Sequence, residues 1–324
     1  MRIVLCYPLE RRHYEQIAAV AGSAELIDAG QERIAAEILR ADVFCGHAKV
    51  PIDWPAVVSG GRLRWIQSSA AGLDHCLVPA VVESEITVTS ASGVLADQVA
   101  EHAMALICGL TRSLPVFFRA QQAREFIRRP TRDLHHTTVG IVGLGGVGRR
   151  IAEVVSPFKT RILATDAFPV DKPPHVEALW PAERLDDLLR QVDILVLSAP
   201  LTPRTRGLID ARTLQRMKRG AILINVARGP LVVEADLVAA LESGQLAAAG
   251  LDVTEEEPLR SSSPLWAMEN VIITPHVGGQ SRLRIDQMTH FFCENLERYL
   301  AGRPLANLVD KQLGFPVRVA APPR

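Results

Sequence analysis

This sequence has no C-x-x-C pair, no net charge and no long apolar run. Five cysteines are scattered over 324 residues and none forms a C-x-x-C pair, which argues against a disulfide framework and against a zinc site. Lysine plus arginine and aspartate plus glutamate both number 36, so net charge does not point to nucleic acid or an anionic membrane. Apolar stretches fall short of the roughly 18 residues that cross a membrane. We therefore expect a protein of the reducing cytoplasm.

The chain is long enough for two domains, and with 48% hydrophobic residues it can bury a sizeable core. Its first hundred residues, from MRIVLCYPLE onward, alternate short apolar runs with helical patterns. We predict strands at Arg2–Cys6, 24–28, 41–47 and 63–69, with helices between them, the first closing on Gly22. This alternation predicts a parallel sheet covered on both faces.

Two further stretches follow this first sheet. Residues 96–114 are long and apolar and predict one buried helix, in which His102 is interpreted as a packing residue. The next stretch, RAQQAREFIRRPTRDLHH, is rich in arginine. It could be a surface for nucleic acid or phosphate, or a solvated helical face or subunit contact. We favour the second interpretation because the stretch contains almost no interleaved aromatic residues.

A second alternation of strands and helices begins at Thr138. Helical segments separate most of its six predicted strands, which are TVGIVG, RILATD, DILVLSA, AILINVA, AAAGLDV and NVIITP. Six strands at this spacing are typical of a doubly wound dinucleotide-binding domain. A last helix is predicted from Arg284 to Leu300, closed by Gly302.

The first strand of this second alternation runs directly into a glycine motif, Gly143-x-Gly145-x-x-Gly148, which opens an amphipathic helix. In that context Gly143 permits the tight turn, Gly145 lets the backbone approach a pyrophosphate, and Gly148 lets the helix pack closely on the strand. The amides around Gly146 and Val147 would face the phosphates at the positive end of the helix. The motif predicts a dinucleotide site.

The following strand ends at Asp166, eighteen residues after Gly148. A carboxylate there accepts hydrogen bonds from the adenosine ribose hydroxyls and repels a 2′-phosphate, which predicts NAD rather than NADP. The alternative is an ordinary turn aspartate. Lys172 lies in a proline-rich loop, too far along the chain to be assigned as a clamp for a 2′-phosphate.

Three polar clusters follow later strands of the same predicted sheet. Arg228, Asp252 and His276 each lie at or just past a strand end, where ligands of doubly wound folds bind. Reduction of a 2-keto acid needs such groups. An arginine pairs with the carboxylate and polarises the keto oxygen, a histidine supplies the proton, and a carboxylate orients the imidazole and favours its protonated form.

Together these stretches resemble the D-isomer-specific 2-hydroxyacid dehydrogenase family, and the likeness covers nearly the whole chain. The motifs that carry it are SSAAGLDH, AEHAMAL, GIVGLGGVGR, APLTPRTRGLI, MKRGAILINVARGPLV, LAAAGLDVTEEEPL, SPLW and NVIITPHVGG. The resemblance implies an α/β fold of two doubly wound parallel-sheet domains. A Rossmann NAD-binding domain (102–285) is inserted into a flavodoxin-like substrate domain made of residues 1–101 and 286–324.

The resemblance also implies site residues. Arg228 and His276 match the catalytic arginine and histidine, and Glu257, just before Pro258, matches the catalytic glutamate. Asp252 is similar to the residue that helps to hold the nicotinamide amide. The remaining implied contacts are Ala199, Pro200, Thr205, Val226, Ala227 and Gly278 to the cofactor, and the main-chain amides of Ala71 and Gly72 to the substrate carboxylate. No metal is implied.

The expected function is NAD-dependent reduction of a small 2-keto acid such as glyoxylate or hydroxypyruvate, in a homodimer without nucleic-acid or membrane partners. Formate dehydrogenases look similar but carry glutamine where Glu257 stands. A dinucleotide-sensing protein of the corepressor type keeps the same three catalytic residues and stays open. Glu255 and Glu256 are interpreted as solvated charges. Phe126 stands near the place of a tryptophan in many members, and no role is assigned to Arg282 and Arg284.

Overall fold

The computed structural model describes residues 1–168 and 171–316, and the chain folds into two compact units. The first unit comprises Met1–Leu95 with Ser281–Arg324, and the second comprises Ala96–Gln280. The boundaries expected from the sequence, after residues 101 and 285, fall a few residues later. The first of these would cut a continuous helix, Ala96–Thr111, which belongs entirely to the second unit.

The described part of the chain contains the following regular elements. The strands are β1 (Arg2–Cys6), β2 (Glu25–Asp28), β3 (Val43–Gly46), β4 (Trp65–Ser68), β5 (Thr87–Thr89), β6 (Thr138–Val142), β7 (Arg161–Asp166), β8 (Ala178–Pro181), β9 (Ile194–Leu197), β10 (Ala221–Asn225), β11 (Leu246–Leu251), β12 (Val271–Ile273), β13 (Val309–Asp310) and β14 (Phe315–Pro316). The α-helices are α1 (Arg11–Ala21), α2 (Gly30–Glu37), α3 (Trp54–Ser59), α4 (Pro79–Val82), α5 (Ala96–Thr111), α6 (Leu114–Ala123), α7 (Gly146–Val155), α8 (Leu185–Leu189), α9 (Ala211–Arg216), α10 (Glu234–Glu242) and α11 (Arg284–Leu300). Single 3₁₀ turns lie at Ile38–Arg40, Ser156–Phe158, Ala182–Arg184, Gly229–Leu231 and Pro264–Trp266.

The first unit is built on a parallel sheet with the strand order β2-β1-β3-β4-β5. Alternate residues of its central strands face opposite sides. Ile3 and Leu5 pack with α1 and α11, whereas Val4 and Cys6 pack with α2, α3 and α4. The order reverses between β1 and β3, as in flavodoxin-like sheets, so this unit has its own switch point.

Helix α11 comes from the far end of the chain and completes the first unit. The buried Asn295 amide donates to Gln67 Oε1 at 2.9 Å and to Ala306 O at 3.1 Å. Near the start of α11, His13 Nε2 lies 2.6 Å from Asp286 Oδ1, and this hydrogen bond lowers the pKa of the Asp286 carboxyl. Residues from both ends of the chain therefore share one core and one set of polar contacts.

The second unit is built on a parallel sheet with the order β12-β11-β10-β9-β6-β7-β8. From β6 the chain moves outward through β7 and β8, then returns to β9 and continues to the other edge. Helices α5 and α7 cover one face, and α8, α9 and α10 cover the other. This is the Rossmann arrangement, so the predicted fold class, two doubly wound α/β domains, is confirmed.

Several details of the sequence-based prediction are wrong. The short strands β5 and β8 were missed, which makes the second sheet seven-stranded. The long helix ends at Thr111 rather than Leu114, because Ser113 has a left-handed backbone with φ +55°. The arginine-rich stretch is helical only as far as Ala123.

Among the described residues, no single helix is long and apolar enough to cross a membrane. Helices α5 and α6 reach the required length and composition only together, as a pair bent at the break between them.

Candidate active site

The glycine motif of the second unit forms a cradle with one open position. Gly143 has φ +91°, and a Cβ atom there would lie 2.8 Å from the backbone of Ala199. A Cβ on Gly148 would lie 2.0 Å from Gly143 O, so the helix can approach β6 only at a glycine. At Gly145, in contrast, no atom beyond the adjacent residues of the chain lies within 4 Å of the place a Cβ would take. The open space at Gly145 fits a phosphate against the backbone.

Helix α7 begins immediately after this open position. Gly146 and Val147 are its first residues, and the amides of a first helical turn lack partners within the helix. Together with the helix dipole they suit an anion. Asp166, at the end of β7, accepts hydrogen bonds from Leu144 N at 2.7 Å through Oδ2 and from Phe168 N at 2.9 Å through Oδ1. The carboxylate thus also braces the glycine turn, a role that its position at the end of a strand did not reveal.

The other predicted cofactor contacts follow β9 and β10 at the same edge of the sheet. Ala199 packs on Gly143, and Thr205 Oγ1 donates to Pro200 O at 2.7 Å within the loop after β9. Val226 and Ala227 follow β10 directly. All strands of this sheet are parallel, so these loops line the edge that carries the glycine cradle.

Arg228 is the third residue after β10, and its segment is held against the segment that leads to the glutamates. A Cβ on Gly229 would lie 1.6 Å from Thr254 O, so the two backbones meet at this glycine. Asn225 Nδ2 donates to Arg228 O at 3.0 Å, and the guanidinium donates to Ala227 O at 2.7 Å. The predicted arginine is therefore fixed at the exit of β10, beside the exit of β11.

His276 and Glu257 form a direct pair at this edge. Glu257 Oε2 lies 2.8 Å from His276 Nδ1, and the side chains are 40% and 47% exposed. A carboxylate can only accept, so Nδ1 carries the hydrogen and Nε2 is the nitrogen that can exchange a proton with a reactant. The structure thus joins two of the three predicted catalytic side chains.

The backbone at His276 is held in an unusual conformation. Its φ is +54°, which for a residue other than glycine costs about 1 kcal/mol. Buried Asp252 holds this backbone conformation through four hydrogen bonds. Its main-chain oxygen accepts from His276 N at 2.8 Å, and its carboxylate accepts from Thr274 Oγ1, Val277 N and Gly278 N at 2.7, 2.9 and 2.8 Å. Asp252 therefore holds the whole segment that presents the imidazole.

The interpretation of His102 as a simple packing residue is wrong. Its Nε2 lies 2.8 Å from Thr274 Oγ1 and 3.2 Å from Asp252 Oδ1, so it belongs to the polar network behind His276. An apolar helix pattern gave no signal for these contacts, because both partners lie more than 140 residues away in the chain.

The three consecutive glutamates have three different partners. Glu255 Oε2 accepts from Glu234 N, the first amide of α10, at 2.8 Å. Glu256 pairs with Arg260 on the surface, and Glu257 pairs with His276. The interpretation of Glu255 as a merely solvated charge is therefore corrected, since it caps a helix, whereas Glu256 is an exposed charge as predicted.

Two of the residues assigned to the substrate, Ala71 and Gly72, lie in the first unit, whereas Arg228 lies in the second. Ala71 is exposed and Gly72 half-buried in the bend that follows β4, where Ala70 N donates to Ser68 Oγ at 3.1 Å. Arg282 is exposed and Arg284 is the first residue of α11.

The strand order and the glycine cradle define the second unit as a dinucleotide-binding domain. Residues 104–278 match the family model described as "D-isomer specific 2-hydroxyacid dehydrogenase, NAD binding domain". The chain belongs to the D-isomer specific 2-hydroxyacid dehydrogenase family, whose members carry out NAD(P)-dependent oxidoreduction of 2-hydroxy acids.

Three similar proteins illustrate the range of that family. A glyoxylate reductase of Aeropyrum pernix is 36% identical over 81% of this chain and 81% of its own length. A D-isomer specific 2-hydroxyacid dehydrogenase from Xanthobacter autotrophicus, solved with NADPH and MES, is 30% identical with a TM-score of 0.82, covering 97% of this chain and 99% of that one. An NADPH-dependent glyoxylate/hydroxypyruvate reductase from Sinorhizobium meliloti, solved with NADP and sulfate, is 26% identical with a TM-score of 0.83 and the same coverage.

The cap on α10 predicts unequal effects of substitutions in the glutamate triplet. Glu255→Ala removes the acceptor of the Glu234 amide, and we expect the free energy of unfolding to fall by about 1 kcal/mol. Glu256→Ala is the matched control and should stay within about 0.5 kcal/mol of the parent protein. Thermal denaturation of the three proteins measures both. Equal midpoints for Glu255→Ala and Glu256→Ala would contradict the capping role.

Proposed function

We propose that the protein is an NAD(H)-dependent oxidoreductase that interconverts a small 2-keto acid, of the glyoxylate or hydroxypyruvate kind, and the corresponding 2-hydroxy acid. The observation that carries the proposal is the His276–Glu257 pair, placed at the strand edge that also holds the glycine cradle. The names of the similar reductases support the same class of substrate.

The residues that would hold the cofactor are those at the carboxyl ends of the second sheet. The pyrophosphate fits the open space at Gly145 and the amides of Gly146 and Val147, and the adenosine ribose fits the remaining acceptor capacity of Asp166. The loops that contain Ala199, Pro200, Thr205, Val226, Ala227 and Gly278 would enclose the rest. Asp252 Oδ2, which accepts a hydrogen bond from Gly278 N, would also accept one from the nicotinamide amide.

Proton transfer is assigned to His276. When NAD(H) is bound it supplies or accepts the hydride. During reduction the protonated imidazole donates from Nε2 to the keto oxygen, and during oxidation the neutral imidazole takes the proton back. The Glu257 carboxylate holds Nδ1–H and stabilises the imidazolium through its charge. Arg228 would bind the substrate carboxylate and polarise the keto oxygen.

We propose NAD as the preferred cofactor, although two similar structures hold NADPH or NADP. The negative charge of Asp166 opposes a 2′-phosphate. Two nearby cations are already engaged in the structure. Arg149 donates to Asp171 Oδ1 at 3.1 Å and Leu144 O at 3.2 Å, and Lys172 Nζ donates to Val176 O at 2.7 Å. A 2′-phosphate would have to compete with these acceptors.

We also propose a homodimer in the cytoplasm. Helix α6 and the residues that follow it expose large apolar side chains. Phe118 is 58% exposed, Phe126 is 93% exposed, and Leu114, at the start of α6, is also exposed. An exposed apolar surface of this kind is typical of a subunit contact.

The cysteines support the proposed cytoplasmic location. Their unpaired thiols suit a reducing compartment, and burial raises the pKa of the Cys76 thiol to about 12.

A panel of 2-keto acids tests the proposed activity directly. With NADH and glyoxylate or hydroxypyruvate we expect consumption of NADH, followed by its absorbance, and we expect no NADH formation from formate and NAD. Because His276 is assigned the proton transfer, His276→Asn should lose nearly all turnover while still binding NADH. If the parent protein binds NADH but turns over none of the acids, the corepressor type of function replaces this proposal.

Substitution of the glutamate tests its electrostatic role. Glu257→Gln keeps an oxygen that can accept from His276 Nδ1 but removes the negative charge that favours the imidazolium. We expect kcat for reduction to fall by roughly 10–100-fold and the alkaline limb of its pH profile to move to lower pH. Glu256→Gln, one residue earlier, should leave both unchanged. An unaltered pH profile in Glu257→Gln would exclude the assigned role.

Cofactor preference is tested at Asp166. Asp166→Asn removes the charge that opposes a 2′-phosphate, and we expect the ratio of kcat/KM for NADPH over NADH to rise by roughly tenfold. Asp166 also braces the glycine turn, so the thermal midpoint must be compared in parallel. An unchanged ratio in a variant that remains folded would refute the ribose role.

The subunit contact is tested by Phe118→Ser combined with Phe126→Ser. We expect light scattering after size exclusion to give a dimer for the parent protein and a shift toward the monomer for the double variant, because the contact loses two large apolar side chains. Leu39→Ser, which changes an exposed apolar residue in the first unit, serves as the control. A monomeric parent protein would contradict the proposal.

A further inference from the structure

The imidazole of His102 stands behind the candidate active site and contacts the network that holds His276. Its Nε2 reaches Thr274 Oγ1 at 2.8 Å and Asp252 Oδ1 at 3.2 Å, from α5 to the ends of β12 and β11. Its side chain is 19% exposed. The proposed reaction does not use this histidine.

The protons of this network can be assigned from its acceptors. Thr274 Oγ1 lies 2.7 Å from Asp252 Oδ1 and has a single hydrogen, which it donates to the carboxylate. The hydroxyl oxygen must then accept from His102, and the carboxylate can only accept. His102 Nε2 therefore carries a hydrogen and donates to both partners. Both the imidazolium and one neutral tautomer satisfy this requirement, so the contact depends on the donor and not on the charge.

The same carboxylate determines where the His276 segment lies. Asp252 accepts from the amides of Val277 and Gly278, and a Cβ on Gly278 would come within 2.8 Å of Asp252 Oδ2. That close approach leaves little room for the carboxylate to rotate without moving the segment. A donor that fixes the carboxylate orientation therefore also fixes the backbone from Thr274 to Gly278.

We propose that His102 is a positioning residue for His276. Its Nε2–H locks the Asp252 carboxylate and the Thr274 hydroxyl, and through them the left-handed backbone at His276 and the contact of its imidazole with Glu257. The inference rests on the proposed function in one respect, since it takes His276 as the proton donor and acceptor. An orientation error of about 1 Å at a reacting group can cost roughly 100-fold in rate.

Two substitutions of His102 separate the effect of its hydrogen-bond donor from the effect of its side-chain volume. The amide nitrogen of His102→Gln can donate from nearly the place of Nε2, whereas His102→Leu fills similar space without a donor. At saturating NADH and keto acid we expect kcat of His102→Leu to fall by roughly 10–100-fold, with its alkaline pH limit moved lower. His102→Gln should stay within about threefold of the parent protein. His290→Leu, an exposed histidine of α11, is the matched control.

Two kinetic results in the His102 variants would refute the positioning role. Parent-like kcat in His102→Leu would overturn it, and so would equal losses in His102→Gln and His102→Leu. If His102→Leu does not fold, Thr274→Val and Thr274→Ser make the same comparison, because serine keeps the bridging hydroxyl and valine does not. The inference then requires a large kcat loss in Thr274→Val that Thr274→Ser restores, and equal rates would refute it.

A measurement without turnover separates this inference from the proposed activity. NMR titration of the His276 imidazole in the absence of substrate reports its contact with Glu257. We expect a lower titration midpoint in His102→Leu and an unchanged one in His102→Gln. If the parent protein turns over no 2-keto acid, the proposed activity fails, whereas an identical His276 titration in all three proteins refutes the positioning role independently.

Discussion

The buried carboxylate of Asp252 is the constraint on which the candidate site depends. It stands at the end of β11 and accepts three hydrogen bonds from the segment that follows β12, while its main-chain oxygen accepts a fourth. Parallel pairing brings these two strand ends side by side, so that one side chain can hold the exit of its neighbour. His276 keeps its left-handed backbone because of this support. Its imidazole then meets Glu257, which is carried on the exit of β11 itself.

Close approach of backbones organises the rest of this edge. Gly143 meets Ala199, Gly148 meets Gly143, and Gly229 meets Thr254, each at a distance that excludes a side chain. Gly145 differs because the space beside it is open, which is the property that a phosphate site needs. These contacts join the exit of β6 to that of β9, and the exit of β10 to that of β11. The charged side chains of Arg228, Asp252 and Glu257 follow two of these strands.

Elements with strong local patterns were predicted well. The strands at Arg2–Cys6 and Arg161–Asp166 and the helix at Arg284–Leu300 match the structure to the residue, since each has continuous apolar or helical periodicity and clear end signals. Strands β5 and β8 were missed because they form sheet edges of only three and four residues, too few to show an alternation. The end of α5 was placed too late because a left-handed serine, rather than glycine or proline, ends the helical run.

The sequence by itself determined the family, the doubly wound fold of both units and the residues placed at the strand exits, because these depend on local periodicity and on motifs with fixed spacing. The roles assigned to Arg228, Glu257 and His276 remain predictions, although the structure brings the last two into contact. Only the tertiary structure decided that Glu255 caps α10 and that His102 joins Asp252 and Thr274. These contacts join residues that are distant in the chain, and a local pattern of charge or hydrophobicity carries no information about which distant partner a side chain will meet.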